Sequence, residues 1–281
     1  MKYYQLPNTV KIPQIAFGTW RLPDAPETVN TIKTALSAGY RHIDTAAKYE
    51  NEASVGQAVR ESEVPRDQIF VTSKLRNTQR GYETTLADFD RALRTMKLDY
   101  LDLYMIHWPA GSAYYTDWDQ INLETWQALE KLYHDGKVRA IGISNFWPHH
   151  IKALTDHCEI PPMVCQLKFH PGFTQPETSR FCQYSNMLVE AYSPLGAGKL
   201  LTSPVLLQLA EKYKKSTAQI CIRWCLQHNV LPIPKSSNLE RMKQNLDVYD
   251  FNLSNEEMLM LDELDPQLGN EVRDPDKLNL D

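Results

Sequence analysis

A chain of 281 residues, 42% hydrophobic and 23% charged, has an ordinary globular composition and enough length for a sizeable core. Its net charge of −5 argues against a general nucleic-acid or anionic-membrane surface, so any anion site must be local.

The N-terminal stretch Met1–Trp20 is broken by prolines and polar residues and lacks the apolar core of a leader. Its pattern predicts a hairpin from Tyr3–Leu6 and Lys11–Pro13, then a strand at IAFG beginning with Ile15. From there strand and helix patterns alternate. Helix Glu27–Ala38, closed by Gly39, leads to strand His42–Asp44. Helix Asn51–Glu61 precedes strand Ile69–Lys74, and helix Thr84–Met96 precedes strand Tyr100–His107. Helix Leu123–His134, with Gly136 at its end, leads to strand Val138–Ser144 and a helix beginning near Pro148. Strands Val164–Phe169 and Leu188–Ser193 follow, then helix Thr217–Gln227 and strand Val230–Pro234. Ser237 and Glu240 read as a capping box opening one more helix. From about Asp265 the chain is polar and loop-like.

Cys158, Cys165, Cys182, Cys221 and Cys225 are odd in number and lie in apolar or helical patterns. That suits reduced thiols in a cytoplasmic protein rather than a disulfide framework. Cys221, Cys225 and His228 share a helix face, but no second ligand cluster accompanies them, so packing is expected and no metal. No stretch reaches the length of a membrane span.

Eight strands alternating with helices imply parallel strands with helical crossovers. With no linker rich in Pro, Gly or Ser, the expectation is one α/β domain over 1–281, a closed (β/α)8 TIM barrel behind a short β-hairpin. Such barrels carry their chemistry where the strands end. Asp44, Lys74 and His107 end the second, third and fourth strands, and Tyr49 follows Asp44 in its loop. Singly these read as a cap, a solvated lysine, a core histidine and a packing tyrosine. An acid, an amine, an imidazole and a phenol on three consecutive strand ends are hard to assign to packing.

The segments GYRHIDTAAKYENE, FVTSKL, LDLYMIHWP, RAIGISNF, AYSPLGAG and IPKSSNLERMKQNL resemble, in order, the successive signatures of the aldo-keto reductases. The style is that of the bacterial group with 2,5-diketo-gluconate reductases and prostaglandin F synthase-like enzymes. The resemblance implies an NADPH-dependent carbonyl reductase with Asp44, Tyr49, Lys74 and His107 as its catalytic tetrad. A phenol with a pKa near ~10 needs a tuned environment to give up a proton. Lys74 is therefore expected to lower the pKa of Tyr49 against desolvation, Asp44 to hold Lys74, and His107 to hydrogen-bond the substrate oxygen.

No G-x-G-x-x-G is present, and Gly196-Ala197-Gly198 offers only its first half, which argues against a doubly wound dehydrogenase. Lys235 and Arg241 flank a helix start where acids are expected, and they suit a bound phosphate. The resemblance makes this the 2′-phosphate pocket of NADPH, with Ser236 contributing and Asn245 facing the adenine. Gln244 stands where the family often has Glu. By the same similarity Tyr192 stacks on the nicotinamide ring, Ser144, Asn145 and Gln166 bind its carboxamide, and Ser193 and Leu195 belong to the cofactor loop. Read alone, Tyr192 is ordinary burial and Ser144-Asn145 a turn.

Trp20, Trp108, Tyr114, Tyr115, Trp118 and Trp147 fall at or after strand ends. About half of them are expected to face a substrate pocket and the rest to pack. Arg76, two residues past Lys74, either enters that pocket and favours polar or acidic carbonyls or is a solvated surface arginine. Lys168 reverses the family's usual charge before His170-Pro171, and nothing in the sequence explains it. The 266–281 tail is a candidate cover for the pocket. Expected partners are a small carbonyl substrate, with no nucleic acid or membrane, and by resemblance the chain is a monomer. One rival reading is a catalytically silent NADPH-binding regulatory subunit on the same fold, like potassium-channel β-subunits. Another is a barrel hydrolase or isomerase using Asp44 and His107.

Overall fold

A computed structural model describes residues 2–265 and 273–277. Strands β1 (Tyr3–Gln5) and β2 (Lys11–Pro13) pair antiparallel as the N-terminal hairpin. The next eight are β3 (Phe17–Gly18), β4 (His42–Asp44), β5 (Phe70–Lys74), β6 (Leu101–Ile106), β7 (Val138–Ser144), β8 (Val164–Lys168), β9 (Leu188–Tyr192) and β10 (Leu231–Ile233). They form one parallel sheet in chain order. The ring closes where Ala16 N–H donates to Pro232 O and Gly18 N–H to Pro234 O, each at 3.0 Å. A Cβ on Gly18 would lie 3.1 Å from the Ile233 side chain, so the glycine lets β3 approach β10.

The crossovers are α1 (Pro26–Ala38), α2 (Glu52–Glu61), α3 (Tyr82–Met96), α4 (Trp118–His134), α5 (Pro148–Thr155), α6 (Pro176–Tyr184), and α7 (Pro204–Tyr213) with α8 (Thr217–Gln227). Helices α9 (Leu239–Leu246) and α10 (Asn255–Asp262) follow the last strand. Their inner faces follow the 3.6-residue period: α3 buries Thr85, Asp88, Phe89, Ala92 and Met96. Gly39, at φ 113°, ends α1 by donating to the Ala35 and Leu36 carbonyls. Strands such as β6 are buried throughout because helices cover them outside and side chains fill the barrel inside. Asp102, near the start of β6, is satisfied at that end by Arg66 (2.8 Å), Arg139 (2.7 Å) and the Val71 N–H (3.0 Å).

The structure departs from the sequence pattern at two helix starts. α4 begins at Trp118, whose ring packs edge-on against His149 and His150, five positions before its apolar period becomes visible at Leu123. α9 is capped by Asn238, whose Oδ1 accepts from Arg241 N–H at 3.0 Å, so the Ser237/Glu240 box does not form. All five cysteines are free thiols. His228 pairs with Asp262 at 2.9 Å rather than with Cys221 or Cys225. Among the described residues no helix is long and apolar enough to cross a membrane.

Candidate active site

The three strand ends β4, β5 and β6 bring Asp44, Lys74 and His107 together. After β4 a single 3-10 turn, Ala47–Tyr49, ends at Glu50 in the left-handed region (φ 57°) and returns Tyr49 toward the strand ends. Lys74 is fully buried. Its ammonium donates to both Asp44 carboxylate oxygens, at 2.9 and 2.8 Å, and to the Thr45 carbonyl at 2.8 Å. It lies 5.3 Å from the centre of the Tyr49 ring, close enough for its charge to act on the hydroxyl. His107 meets the same ring edge-on, with centroids 5.8 Å apart.

Burial pushes the Lys74 amine toward neutrality, but the charges of Asp44 and then Tyr49 overturn that and raise its pKa. For Tyr49, burial raises the pKa and outweighs Lys74, which pulls it down. The expected lowering by Lys74 is therefore present as a contribution, while the net direction is upward and the phenol is a protonated donor at neutral pH. Burial, followed by the charges of Lys74 and Lys48, holds His107 well below the usual histidine range, so its ring is neutral.

A second network adjoins this one. Gln166 Nε2 donates to Asp44 Oδ2 and to Glu190 Oε2, both at 2.9 Å. Asn145 has left-handed backbone (φ 63°). Its Nδ2 donates to His107 O (2.9 Å) and Ser144 Oγ (3.0 Å), and its Oδ1 accepts from the Tyr192 hydroxyl (2.8 Å). Both Nδ2 hydrogens of Asn145 are thus used on protein partners, while a second lone pair on its Oδ1, the Ser144 hydroxyl and the Gln166 Oε1 acceptor remain available. Ser193, also left-handed (φ 52°), turns the chain into Leu195, which caps the short helix Gly196–Thr202.

At the start of α9, Lys235 and Arg241 are exposed, and the Ser236 hydroxyl oxygen accepts from Asn238 N–H at 3.1 Å. Partial burial and then the charge of Arg21 lower the pKa of Lys235, placing Arg21 as a further cation of this cluster. Asn245 is buried beside Tyr40, and Gln244 is half-buried.

A narrow recess, open to solvent, borders Asn145 and Tyr192 and is walled by Trp108, Trp147, Lys168 and Arg273 among others. No carboxylate stands among the described residues that line it. Lys168 is buried, its ammonium 5.3 Å from the Phe173 ring centre; burial and then Lys199 lower its pKa. Arg273 is close enough to oppose the burial-raised pKa of Tyr192. The other expected aromatics do not border this recess. Trp20 is exposed beneath Arg21, Tyr114 reaches Lys277 O at 3.4 Å, and Tyr115 packs under Arg80. The Arg76 backbone N–H donates to Asp88 on α3 at 3.1 Å, and its charge slightly offsets the burial that raises the pKa of Tyr104.

Residues 273–277 are pinned at this mouth, while 266–272 and 278–281 lie outside the described residues. Asp276 accepts from the Ser112 N–H (3.2 Å) and hydroxyl (2.9 Å) and faces His149 (3.2 Å) and His150 (3.1 Å). These three side chains could group around a metal ion. However, His150 Nδ1 accepts the Trp147 N–H at 3.2 Å, so its proton sits on Nε2 and is given to Asp276. Coordination through Nε2 would force that proton onto Nδ1 against the Trp147 N–H. The cluster is a clasp for the tail.

Glu190, Arg21 and Arg273 were not singled out by sequence. A lone Glu inside the apolar run of β9 is the one available signal.

Residues 14–266 match the model of the aldo/keto reductase family. The chain is 48% identical to a 9,11-endoperoxide prostaglandin H2 reductase of Trypanosoma cruzi over 96% of its own length and 94% of that protein. It is 47% identical to a glyoxal reductase of Bacillus subtilis, over 98% and 96%. Among solved structures, a Bombyx mori aldo-keto reductase in complex with NADP superposes with a TM-score of 0.86 at 34% identity, covering 94% of this chain and 93% of that one. A motif match across 253 positions, extended relatives and a shared barrel agree with the strand-end constellation: the chain belongs to the aldo/keto reductase family.

Proposed function

We propose that this chain reduces aldehydes and ketones to alcohols with NADPH and that Tyr49 gives the proton. The observation that carries this reading is the Lys74 ammonium, sealed in the barrel between the Asp44 carboxylate and the Tyr49 phenol. When bound, NADPH supplies the hydride that becomes the new C–H bond. The carbonyl oxygen then needs a proton, which the Tyr49 hydroxyl donates. Lys74, kept charged by Asp44, stabilises the phenolate left behind, and neutral His107 hydrogen-bonds the same oxygen and fixes its angle.

The residues present fit that cofactor. A primary carboxamide offers one acceptor and two N–H donors, complementary to the Ser144 hydroxyl and Gln166 Oε1. Asn145 orients Ser144 and Tyr192, whose ring would stack on the nicotinamide; Ser193 and Leu195 shape the loop beside it. Arg21, Lys235, Ser236 and Arg241 suit a 2′-phosphate, with Asn245 supporting the adenine side of α9 from within.

On the substrate side, the resemblance to diketo-gluconate reductases and a relative named for glyoxal point to small polar carbonyl compounds. A preference for acidic ones rests on Lys168 and Arg273 rather than on Arg76. NADPH absorbance loss with matched carboxylate-bearing and neutral aldehydes tests both points. Turnover is expected for each, and Arg273→Ala should raise KM for the acid about three- to tenfold with kcat nearly unchanged. Equal KM changes for acid and neutral substrates would remove Arg273 from recognition. No turnover of any aldehyde, with NADPH bound, would favour the silent regulatory reading.

A further inference from the structure

Glu190 lies on β9, inside the barrel, with no solvent exposure. A valine or threonine would fill such a position without the desolvation that a carboxyl group incurs. Its Oε2 accepts from Gln166 Nε2 at 2.9 Å, while Oε1 has no hydrogen-bond partner among the described residues. A buried acid satisfied at one oxygen only is better explained by what that oxygen holds.

What it holds is one half of an amide. Gln166 has two N–H donors, and both are used: one on Asp44 Oδ2, the other on Glu190 Oε2. A flipped amide would set its carbonyl oxygen 2.9 Å from the Asp44 carboxylate, so the nitrogen must face the two acids. Asp44 alone would fix the nitrogen but leave the amide plane free to turn about that single bond. Two anchors fix the plane as well, and with it the direction of Oε1.

We propose that Glu190 is a positioning residue that locks the Gln166 amide with its carbonyl presented to the cofactor's carboxamide. The proposal rests on the reading that Gln166 meets the nicotinamide carboxamide. Glu190 touches neither substrate nor the reacting atoms.

The charge state of the lock follows from its surroundings. Burial, and then the Asp44 charge, push the Glu190 pKa up to about 8, against Gln166 and Lys74. The Cys165 thiol, on the other face of β8, feels its charge only weakly, and the Cys182 hydrogen bond and then burial keep that thiol neutral. At neutral pH Glu190 therefore carries a proton and still accepts through its carbonyl oxygen. Ionisation above about pH 8 makes it a stronger acceptor and, through the polarised amide, makes Gln166 Oε1 a stronger one too.

Binding of two probes to the full-length protein, read by quenching of tryptophan fluorescence, separates the outcomes. NADPH carries the carboxamide; 2′,5′-ADP carries the 2′-phosphate and lacks it. Glu190→Ala should weaken NADPH about three- to tenfold and leave 2′,5′-ADP unchanged, while Glu190→Gln, which can still accept from Gln166, should restore NADPH binding at pH 7. NADPH affinity of the wild type should rise between pH 7 and 9, and that of Glu190→Gln should stay flat. If Glu190→Ala fails to fold, the pH comparison with Glu190→Gln still decides. Equal loss of both probes, or an identical pH dependence in wild type and Glu190→Gln, would overturn the proposal. Failure of the wild type to bind either probe would instead overturn the cofactor reading beneath it.

Discussion

Lys74→Met is expected to lower kcat for carbonyl reduction by about a thousandfold while NADPH still binds. A unit charge ~4 Å from a developing phenolate contributes about 4 kcal/mol at an effective dielectric near ~20, about three powers of ten in rate. Burial has already raised the cost of ionising Tyr49, and Lys74 is the largest influence opposing it. The substitution also strands the Asp44 carboxylate in the barrel, and breaking a buried pair costs roughly 3–5 kcal/mol of stability. Asp44→Asn/Lys74→Met separates the two effects: melting should return toward the wild-type temperature while activity stays lost. If the double variant regained activity along with stability, Lys74 would be a packing residue.

Arg241→Ala should raise the Kd for NADPH about tenfold and leave that for NADH nearly unchanged. A charge-assisted hydrogen bond is worth about 1.5–3 kcal/mol, and solvent exposure at the start of α9 favours the lower end. The Arg241 backbone N–H is already given to Asn238, so only its guanidinium is available to a phosphate. Lys235→Met should act in the same direction, because Arg21 crowds Lys235 with like charge that an anion relieves. A parallel loss of NADH and NADPH binding would mean that these cations serve some group common to both cofactors.

The strands β4 and β7 are legible to the residue because their apolar runs stop at polar strand ends, Asp44 and Ser144. The helix starts are less so. Nothing in Trp118-Asp119-Gln120 shows an apolar period, and the histidines that hold Trp118 lie in another helix. Ser237 and Asn238 are both cap-forming residues, and the choice between them depends on backbone direction at Asn238 (φ −103°), which tertiary packing sets.

The four strand-end residues could be read because they sit at strand termini in a recognisable order. Charged residues whose meaning depends on distant partners could not. Glu190 is defined by Gln166 and Asp44, Arg21 by Lys235, and Arg273 by Tyr192. Arg76 illustrates the converse: two residues past β5 its backbone N–H is given to Asp88 on α3, a partner that the sequence does not announce. The net direction at Tyr49 was also beyond sequence, because it depends on how deeply the phenol is buried.

Single-turnover reduction of a simple aldehyde by preloaded NADPH, comparing the wild type with Tyr49→Phe, probes the proton donor most directly. The wild type should consume the cofactor's absorbance on mixing. Tyr49→Phe should bind NADPH with similar affinity and lose nearly all of that signal. A variant that lacks the phenol yet turns over at a substantial fraction of the wild-type rate would contradict the assignment of Tyr49.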